Sequence, residues 1–195
     1  MGKILIIVGA VVVVLILAFG VSAVSSYNAL FAKREAVNAS WAGVETNLQR
    51  RADLIPQLVG AVTGALKQEQ VVFGQIANAR AGLTSALKSG SKDQVIDADN
   101  QLTSTLQRLQ FLNITEAYPQ LKSNESFNKL MDELTGTENR LSTERMRYNE
   151  KIQAYNTQRR KFPSNVTAGI FGFKEYPYFE APGEAKVAPK VDFKK

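Results

Sequence analysis

The 195-residue chain contains neither cysteine nor histidine. Without cysteine it can form no disulfide and has no thiol nucleophile. Without histidine it lacks the ligand of the usual zinc sites and the base of the Ser-His-Asp and Cys-His pairings. An enzyme of this composition would depend on carboxylates, lysine, tyrosine or serine, so we expect no catalytic residue, no metal site and no bound cofactor.

A second absence lies near the N terminus, where residues 4–24 contain no charged side chain. About twenty apolar residues at 1.5 Å each match a hydrocarbon core about 30 Å thick. We therefore predict a transmembrane anchor over residues 1–25. The alternative is a cleaved export signal, with Lys3 as its charged start and small residues around Ala23 as its cleavage site. Helical patterning resumes at Tyr27, which favours the anchor.

The net charge of +6 raises the question of nucleic acid binding. The basic residues are interleaved with acidic ones, however, and no glycine-rich or aromatic RNA-binding motif accompanies them. We expect no nucleic acid partner. A mild basic excess on a membrane-anchored chain favours anionic lipid headgroups instead.

Apolar residues recur at alternating steps of three and four from Tyr27 to Ala86, which is the pattern of a heptad seam. The phase of this seam continues through Pro56, a residue that normally kinks or ends a helix. Asp53 stands three residues earlier and suits the start of a new helix. We predict two helical segments here, over residues 26–53 and 56–88.

The segment 88–92 predicts a turn, with Gly90 placed to end one helix and Ser91 to cap the next. A third apolar stripe follows it and should fade before Pro119. Ser123 or Asn124 can cap a fourth helix, whose stripe runs to Phe162. The third and fourth stripes comprise Val95, Ala98, Leu102, Leu106, Leu109 and Leu112, and then Phe127, Met131, Leu134, Leu141, Tyr148, Ile152, Tyr155 and Phe162.

Four amphipathic segments can bury their stripes by packing side by side. We predict an all-α fold, with the transmembrane helix followed by an antiparallel, up-and-down bundle over residues 26–180. The alternative is a long two-rod hairpin in which Pro56 and Pro119 merely bend continuous helices. A short helix is predicted near residues 165–172, and residues 181–195 form an extended or disordered tail.

Several short stretches are weak singly and distinctive together. They are Tyr27-Asn28 with Trp41 and Leu48, residues 50–59, 115–124, 136–140 and 147–149, Tyr155-Asn156, residues 162–165, Gly172-Phe173 and residues 189–193. In this combination the chain resembles the LemA family of bacterial membrane proteins. The resemblance implies a single membrane-spanning segment near the N terminus, a helical-bundle domain and a place in the bacterial cell membrane. It implies no established catalytic activity.

Charged residues occupy seam positions where an apolar side chain is expected. They are Arg34, Arg51, Glu69, Glu116, Glu138, Arg145 and Arg159. Because a lone buried charge costs several kcal/mol, these residues should meet as Arg-Glu pairs across the bundle. The simpler interpretation is that such pairs fix the register of the helices. The alternative is a polar pocket or proton path.

An aromatic stretch follows the fourth helix and comprises Phe171, Phe173, Tyr176, Tyr178 and Phe179. It can pack over one end of the bundle, lie at a membrane interface, or contact a partner or a neighbouring subunit. Packing on its own bundle is the simplest of the three.

Together these features favour a membrane-anchored helical scaffold or adaptor that self-associates and has no catalytic activity. The alternative is a regulatory or ligand-sensing membrane domain that acts through the polar seam. The expected partners are the lipid bilayer and further copies of the chain, with other membrane proteins as an additional possibility.

We predict that residues 4–24 remain attached in the mature protein, because the uncharged run is longer than the apolar core of a typical export signal. Intact-mass measurement of protein purified from membranes should give the mass of the uncleaved chain. A mature protein that begins at Val24 would contradict this prediction.

Overall fold

The computed structural model describes residues 1–63, 70–111 and 124–179. These residues form five helices and no strand. The helices are α1 (Gly2–Thr63), α2 (Gln70–Ser89), α3 (Lys92–Phe111), α4 (Glu125–Arg160) and α5 (Ser164–Ile170). The all-α fold with a long apolar N-terminal helix and a helical bundle is confirmed.

The N-terminal part of α1 has its apolar side chains exposed throughout residues 2–21. By length and composition, α1 is the one helix among the described residues that could cross a membrane. The same helix then enters the packed part of the chain, where Leu30 and Val37 have no exposed surface. The apolar segment and the bundle therefore share one helix.

The predicted helix break near Asp53 is wrong, since α1 runs through Pro56 and ends at Thr63. In the interior of a helix, proline deprives the carbonyl four residues earlier of its usual donor. That carbonyl belongs to Ala52, and it accepts a 3.0 Å hydrogen bond from Nε of Arg80 in α2. A side chain from another helix thus supplies the donor that Pro56 lacks, and the helix continues.

The chain divides into two compact units. The first unit comprises Met1–Trp41 and Arg147–Tyr178. Its core joins the buried face of α1 to that of α4, and the rings of Trp41 and Tyr148 lie 5.0 Å apart between centroids. The predicted seam residues buried there are Leu30, Val37, Trp41, Tyr148, Ile152 and Tyr155.

The second unit comprises Ala42–Met146 and Phe179–Lys195. Here α1, α2, α3 and α4 each contribute apolar side chains at the predicted heptad positions. Those with almost no exposed surface are Val44, Leu48, Ile55, Ile76, Leu83, Val95, Leu102 and Leu141. The predicted stripes therefore form the core of this unit.

The turn between α2 and α3 has the predicted chemistry. Gly90 has a φ of 71°, a left-handed conformation that glycine adopts without a steric penalty. Ser91 precedes α3, and its hydroxyl accepts a long 3.5 Å hydrogen bond from the amide of Gln94. The chain reverses at this turn and α2 packs along α3.

The start of α4 was also predicted correctly, because the side chain of Asn124 accepts a 3.1 Å hydrogen bond from the amide of Phe127. At the other end the prediction fails for Phe162, which was assigned to the buried stripe and is 78% exposed. The helix ends at Arg160, before Phe162 can lie on its buried face. The predicted short helix is α5. Pro119 and the tail over residues 181–195 lie outside the described residues.

If Arg80 compensates for Pro56, the two residues should be energetically coupled. We expect Arg80→Met to destabilise the protein by about 1.5–3 kcal/mol, the usual range for a hydrogen bond to a charged group. In a Pro56→Ala background the loss should be smaller, because the new amide can donate to Ala52. Chemical denaturation of the four proteins measures this coupling. An equal loss in both backgrounds would contradict it.

Candidate functional site

A carboxylate with no exposed surface lies inside the second unit. Asp99 of α3 is fully buried. Its Oδ1 accepts a 2.9 Å hydrogen bond from Nη1 of Arg51 in α1. Its Oδ2 accepts a hydrogen bond from Nη2 of Arg145 in α4. One side chain therefore connects three helices.

Two further groups complete the arrangement. Nη1 of Arg51 donates a 2.9 Å hydrogen bond to the hydroxyl of Thr103 and lies 3.0 Å from Oε2 of Glu138. Glu138 also accepts a 3.2 Å hydrogen bond from Nη1 of Arg145. We call Arg51, Asp99, Thr103, Glu138 and Arg145 the Asp99 cluster. It holds two positive and two negative charges and is neutral as a whole.

The two arginines favour the charged form of the buried carboxylate. Burial raises the pKa of Asp99, because the ionised form loses its hydration, and the positive charges of Arg145 and Arg51 oppose this effect. Without a positive partner, a carboxylate at this position would take up a proton, or the unit would unfold. The packing of α1, α3 and α4 therefore depends on both arginines reaching the same point.

Phe179 packs against Arg145, one residue of the cluster. The guanidinium carbon of Arg145 lies 4.6 Å from the centroid of the Phe179 ring, a distance at which the positive charge is attracted to the ring face. The Phe179 side chain is itself buried. This residue of the aromatic stretch packs on its own unit.

The structure brings together three of the seven predicted seam charges, Arg51, Glu138 and Arg145. Glu69 and Glu116 lie outside the described residues. Arg34 and Arg159 belong to the first unit and have no part in the cluster.

Arg34 and Arg159 both attach the segment that follows α5. The guanidinium of Arg34 lies 5.3 Å from the centroid of the Phe173 ring, and its side chain is 38% exposed. Nε of Arg159 donates a 2.7 Å hydrogen bond to the carbonyl of Phe173, and its Nη1 lies 3.6 Å from Glu175. Their partners are thus a ring, a carbonyl and a surface carboxylate, rather than a seam glutamate.

The aromatic stretch divides between buried and exposed residues. Phe173 is buried and its ring centroid lies 5.5 Å from that of Tyr27. Tyr176 packs edge to face against Tyr155 at 5.2 Å. Phe171 and Tyr178 remain exposed.

Hydrogen bonds from α4 hold this stretch in place. The hydroxyl of Tyr155 donates a 2.8 Å hydrogen bond to the carbonyl of Lys174. Burial raises the pKa of Tyr155 and that of Tyr176, so both keep their protons at neutral pH. The amide of Asn156 donates to the carbonyl of Tyr176 at 3.0 Å and accepts from its N–H at 3.3 Å.

Sequence reasoning missed Asp99 and Thr103, although a signal was present. Asp99 lies four residues after Val95 and three before Leu102, so it shares their face of α3. Its position on the apolar face of α3 predicts that Asp99 is buried, although Asp99 is not itself one of the seam residues.

These features define a helical-bundle protein whose N-terminal helix carries a candidate membrane span and whose buried polar groups link helices. The chain belongs to the LemA family, whose sequence model matches residues 40–193.

Three relatives carry the name magnetosome protein. MamQ 2 and MamQ 1 of Paramagnetospirillum magneticum (strain AMB-1) are each 27% identical over 188 residues, which cover 85% of this chain and 68% of the relative. MamQ of Magnetospirillum gryphiswaldense (strain MSR-1) is 26% identical over 193 residues, which cover 87% and 70% of the two chains.

The Asp99 cluster yields a mutational test of charge balance. Arg51→Met leaves an excess negative charge in the core, and Asp99→Leu leaves an excess positive one, so each should cost about 3–5 kcal/mol. The double variant keeps the balanced pair of Arg145 and Glu138 and should recover most of that loss. Urea denaturation of the four proteins measures these differences.

The adjacent residue Arg50 serves as the control, because its ion pair with Glu133 lies on the surface. Arg50→Met should change the free energy of unfolding by less than about 1 kcal/mol. If the losses of Arg51→Met and Asp99→Leu simply add in the double variant, the two charges do not stabilise each other in the core.

Proposed function

We propose that this LemA-family protein is a membrane-anchored helical scaffold or adaptor that self-associates and catalyses no reaction. The observation that carries the proposal is the continuity of α1, which runs unbroken from Gly2 to Thr63. Its first part exposes the uncharged apolar run that begins at Ile4, and its second part supplies one face of the bundle core.

The exposure of the first part supports anchoring. Ile4 and Leu17 are 68% and 63% exposed, and the side chains between them are exposed as well. Burying one large apolar side chain is worth about 1.5–3 kcal/mol, so the fifteen exposed between Ile4 and Val24 strongly favour transfer out of water. A bilayer provides that environment and matches the length of the run.

The connection between anchor and bundle supports a scaffold role. Residues 21–41 contain neither glycine nor proline, and all of them are helical. A continuous helix is a stiff connection, whereas a linker rich in glycine or serine would let the domain reorient freely. A stiff connection holds the attached part of the bundle at a fixed attitude to the anchor, which suits the positioning of partners.

The chemistry of the Asp99 cluster favours a role in fixing the register of the helices over a role in ligand sensing or catalysis. Asp99 has no exposed surface, and an arginine occupies each of its carboxylate oxygens. A carboxylate that binds a ligand or takes part in catalysis must be reached by that ligand or substrate. The Asp99 cluster instead serves to fix the helices against one another.

Small residues in the anchor support self-association. Gly9 and Gly20 are eleven residues apart, about three helical turns, and so share one face of α1. A methyl group added at either glycine meets nothing within 4 Å. In a bilayer, small residues allow helices to approach closely. Confinement to one membrane also raises the effective concentration of weakly interacting copies.

We predict a homo-oligomer whose contacts include the glycine face of the anchor. Mass photometry of full-length protein in mild detergent should show particles of several chains, and Gly9→Leu with Gly20→Leu should shift them toward one chain. Val11→Leu is the control, because Val11 lies about 160° around the helix from Gly9. Its enlargement should leave the particle mass unchanged.

A single population at the mass of one chain, unchanged at high protein concentration, would remove self-association from the proposal. The proposed membrane anchor would be unaffected, and an adaptor role would then require binding to proteins other than copies of this chain.

A further inference from the structure

The corner between α4 and α5 carries apolar side chains that remain exposed. We call Phe162, Val166, Ile170 and Phe171 the apolar corner. Phe162 is 78% exposed and Ile170 is 70% exposed. Val166 and Ile170 are four residues apart in α5 and therefore share its outer face, while Thr167 and Ala168 are buried on the inner face.

The apolar corner lies beside the end of the candidate membrane span. A cleft of about 450 Å³ is lined on one side by α1 residues that include Ala18 and Val21, and on the other by Lys161, Phe162 and Pro163. Ala18 and Val21 belong to the uncharged run of residues 4–24. The corner is thus at the level where the last two turns of that run lie.

A second contact lies about 9 Å further along α1 than Val21, just beyond the end of the uncharged run. The ring of Phe171 lies 5.0 Å from the ring of Tyr27, centroid to centroid. Tyr27 follows the uncharged run by three residues, which is about 5 Å along the helix. If the run fills the hydrocarbon core, Phe171 lies at the depth of the headgroups.

We propose that the apolar corner inserts into the interfacial layer of the same bilayer that α1 spans. Aromatic rings are favoured at that depth, and a short helix with one apolar face can lie in the plane of the interface. Lys161 is exposed next to Phe162 and can extend its ammonium group to lipid phosphates. This inference rests on the proposed anchoring and adds a second site of membrane contact.

The corner is held so that it can make this contact. Beyond α5, Phe173 is buried, and its carbonyl accepts the hydrogen bond from Arg159. Gln158 donates a 2.8 Å hydrogen bond to the hydroxyl of Ser164 across the bend between the helices. The inner side of the corner is thereby attached to α4, and the four apolar side chains remain outside. Because they are continuous with the exposed face of the span, the bilayer is the occupant that the geometry favours.

The absence of cysteine in the chain permits a direct test with one introduced reporter. Gly169→Cys places a thiol beside Ile170, and a methyl group added there meets nothing within 4 Å. The full-length variant, labelled with an environment-sensitive dye, is reconstituted into phosphatidylcholine–phosphatidylglycerol vesicles that carry a lipid-attached quencher near the headgroups. Ala39→Cys is the control, because Ala39 is exposed on α1 about 22 Å beyond residue 24.

We expect the lipid-attached quencher to reduce emission at position 169 by roughly threefold or more relative to position 39. Adding Val166→Ser and Ile170→Ser should bring quenching at position 169 down to the level of position 39. Adding Asn165→Ser, which changes an exposed polar residue of the same helix, should leave it unchanged.

Each other outcome overturns the inference in a recognisable way. If the protein floats with the vesicles but position 169 is quenched no more than position 39, the corner does not enter the bilayer and anchoring stands. If quenching at position 169 falls to the level of position 39 when the ratio of lipid to protein is raised, the corner binds a second copy of the chain instead. If the protein does not float with the vesicles, anchoring fails and this inference fails with it.

Discussion

The second unit depends on one electrostatic constraint, the burial of the Asp99 carboxylate. A charge without hydration is tolerated in a protein interior only when opposite charges reach it with good geometry. Arg51 arrives from α1 and Arg145 from α4, and each occupies one oxygen of the carboxylate. A helix that rotated or slid by one turn would leave an unpaired charge in the core. Apolar packing alone would tolerate such a slip more easily, because one leucine can replace another in the seam.

A second polar contact makes the long N-terminal helix possible. Arg80 donates to the carbonyl that Pro56 leaves without a partner, so α1 continues to Thr63. A helix that ended at Asp53 would lose residues 54–63, which include the buried Leu54, Ile55 and Leu58. The buried polar groups of this protein thus have a common role, which is to satisfy the backbone and the charges that a continuous helical framework leaves in the interior.

The surfaces, rather than the interior, therefore carry the function we propose. Asp99 is fully buried between two arginines, and Arg34 and Arg159 hold the segment after α5 in place within the first unit. Most of the large apolar side chains that remain exposed in that unit lie along the first part of α1 and at the corner formed by Phe162 and α5. This distribution is the basis of our proposal that the membrane and neighbouring copies of the chain are the partners.

The sequence by itself determined which faces are buried, because the period of a helix sets the side of each residue without reference to any partner. It also determined the turn at Gly90, since that conformation is a local property of glycine. Only the tertiary structure decided which polar groups meet. Pro56 breaks a helix by a local rule, and Arg80, distant in sequence, removes the reason for the break. Likewise, the partner of Arg51 was expected among the seam glutamates, and Glu138 is one of its contacts. The fully buried partner is Asp99. Which charges pair depends on how the packed helices are rotated against one another, and a local sequence pattern does not specify that rotation.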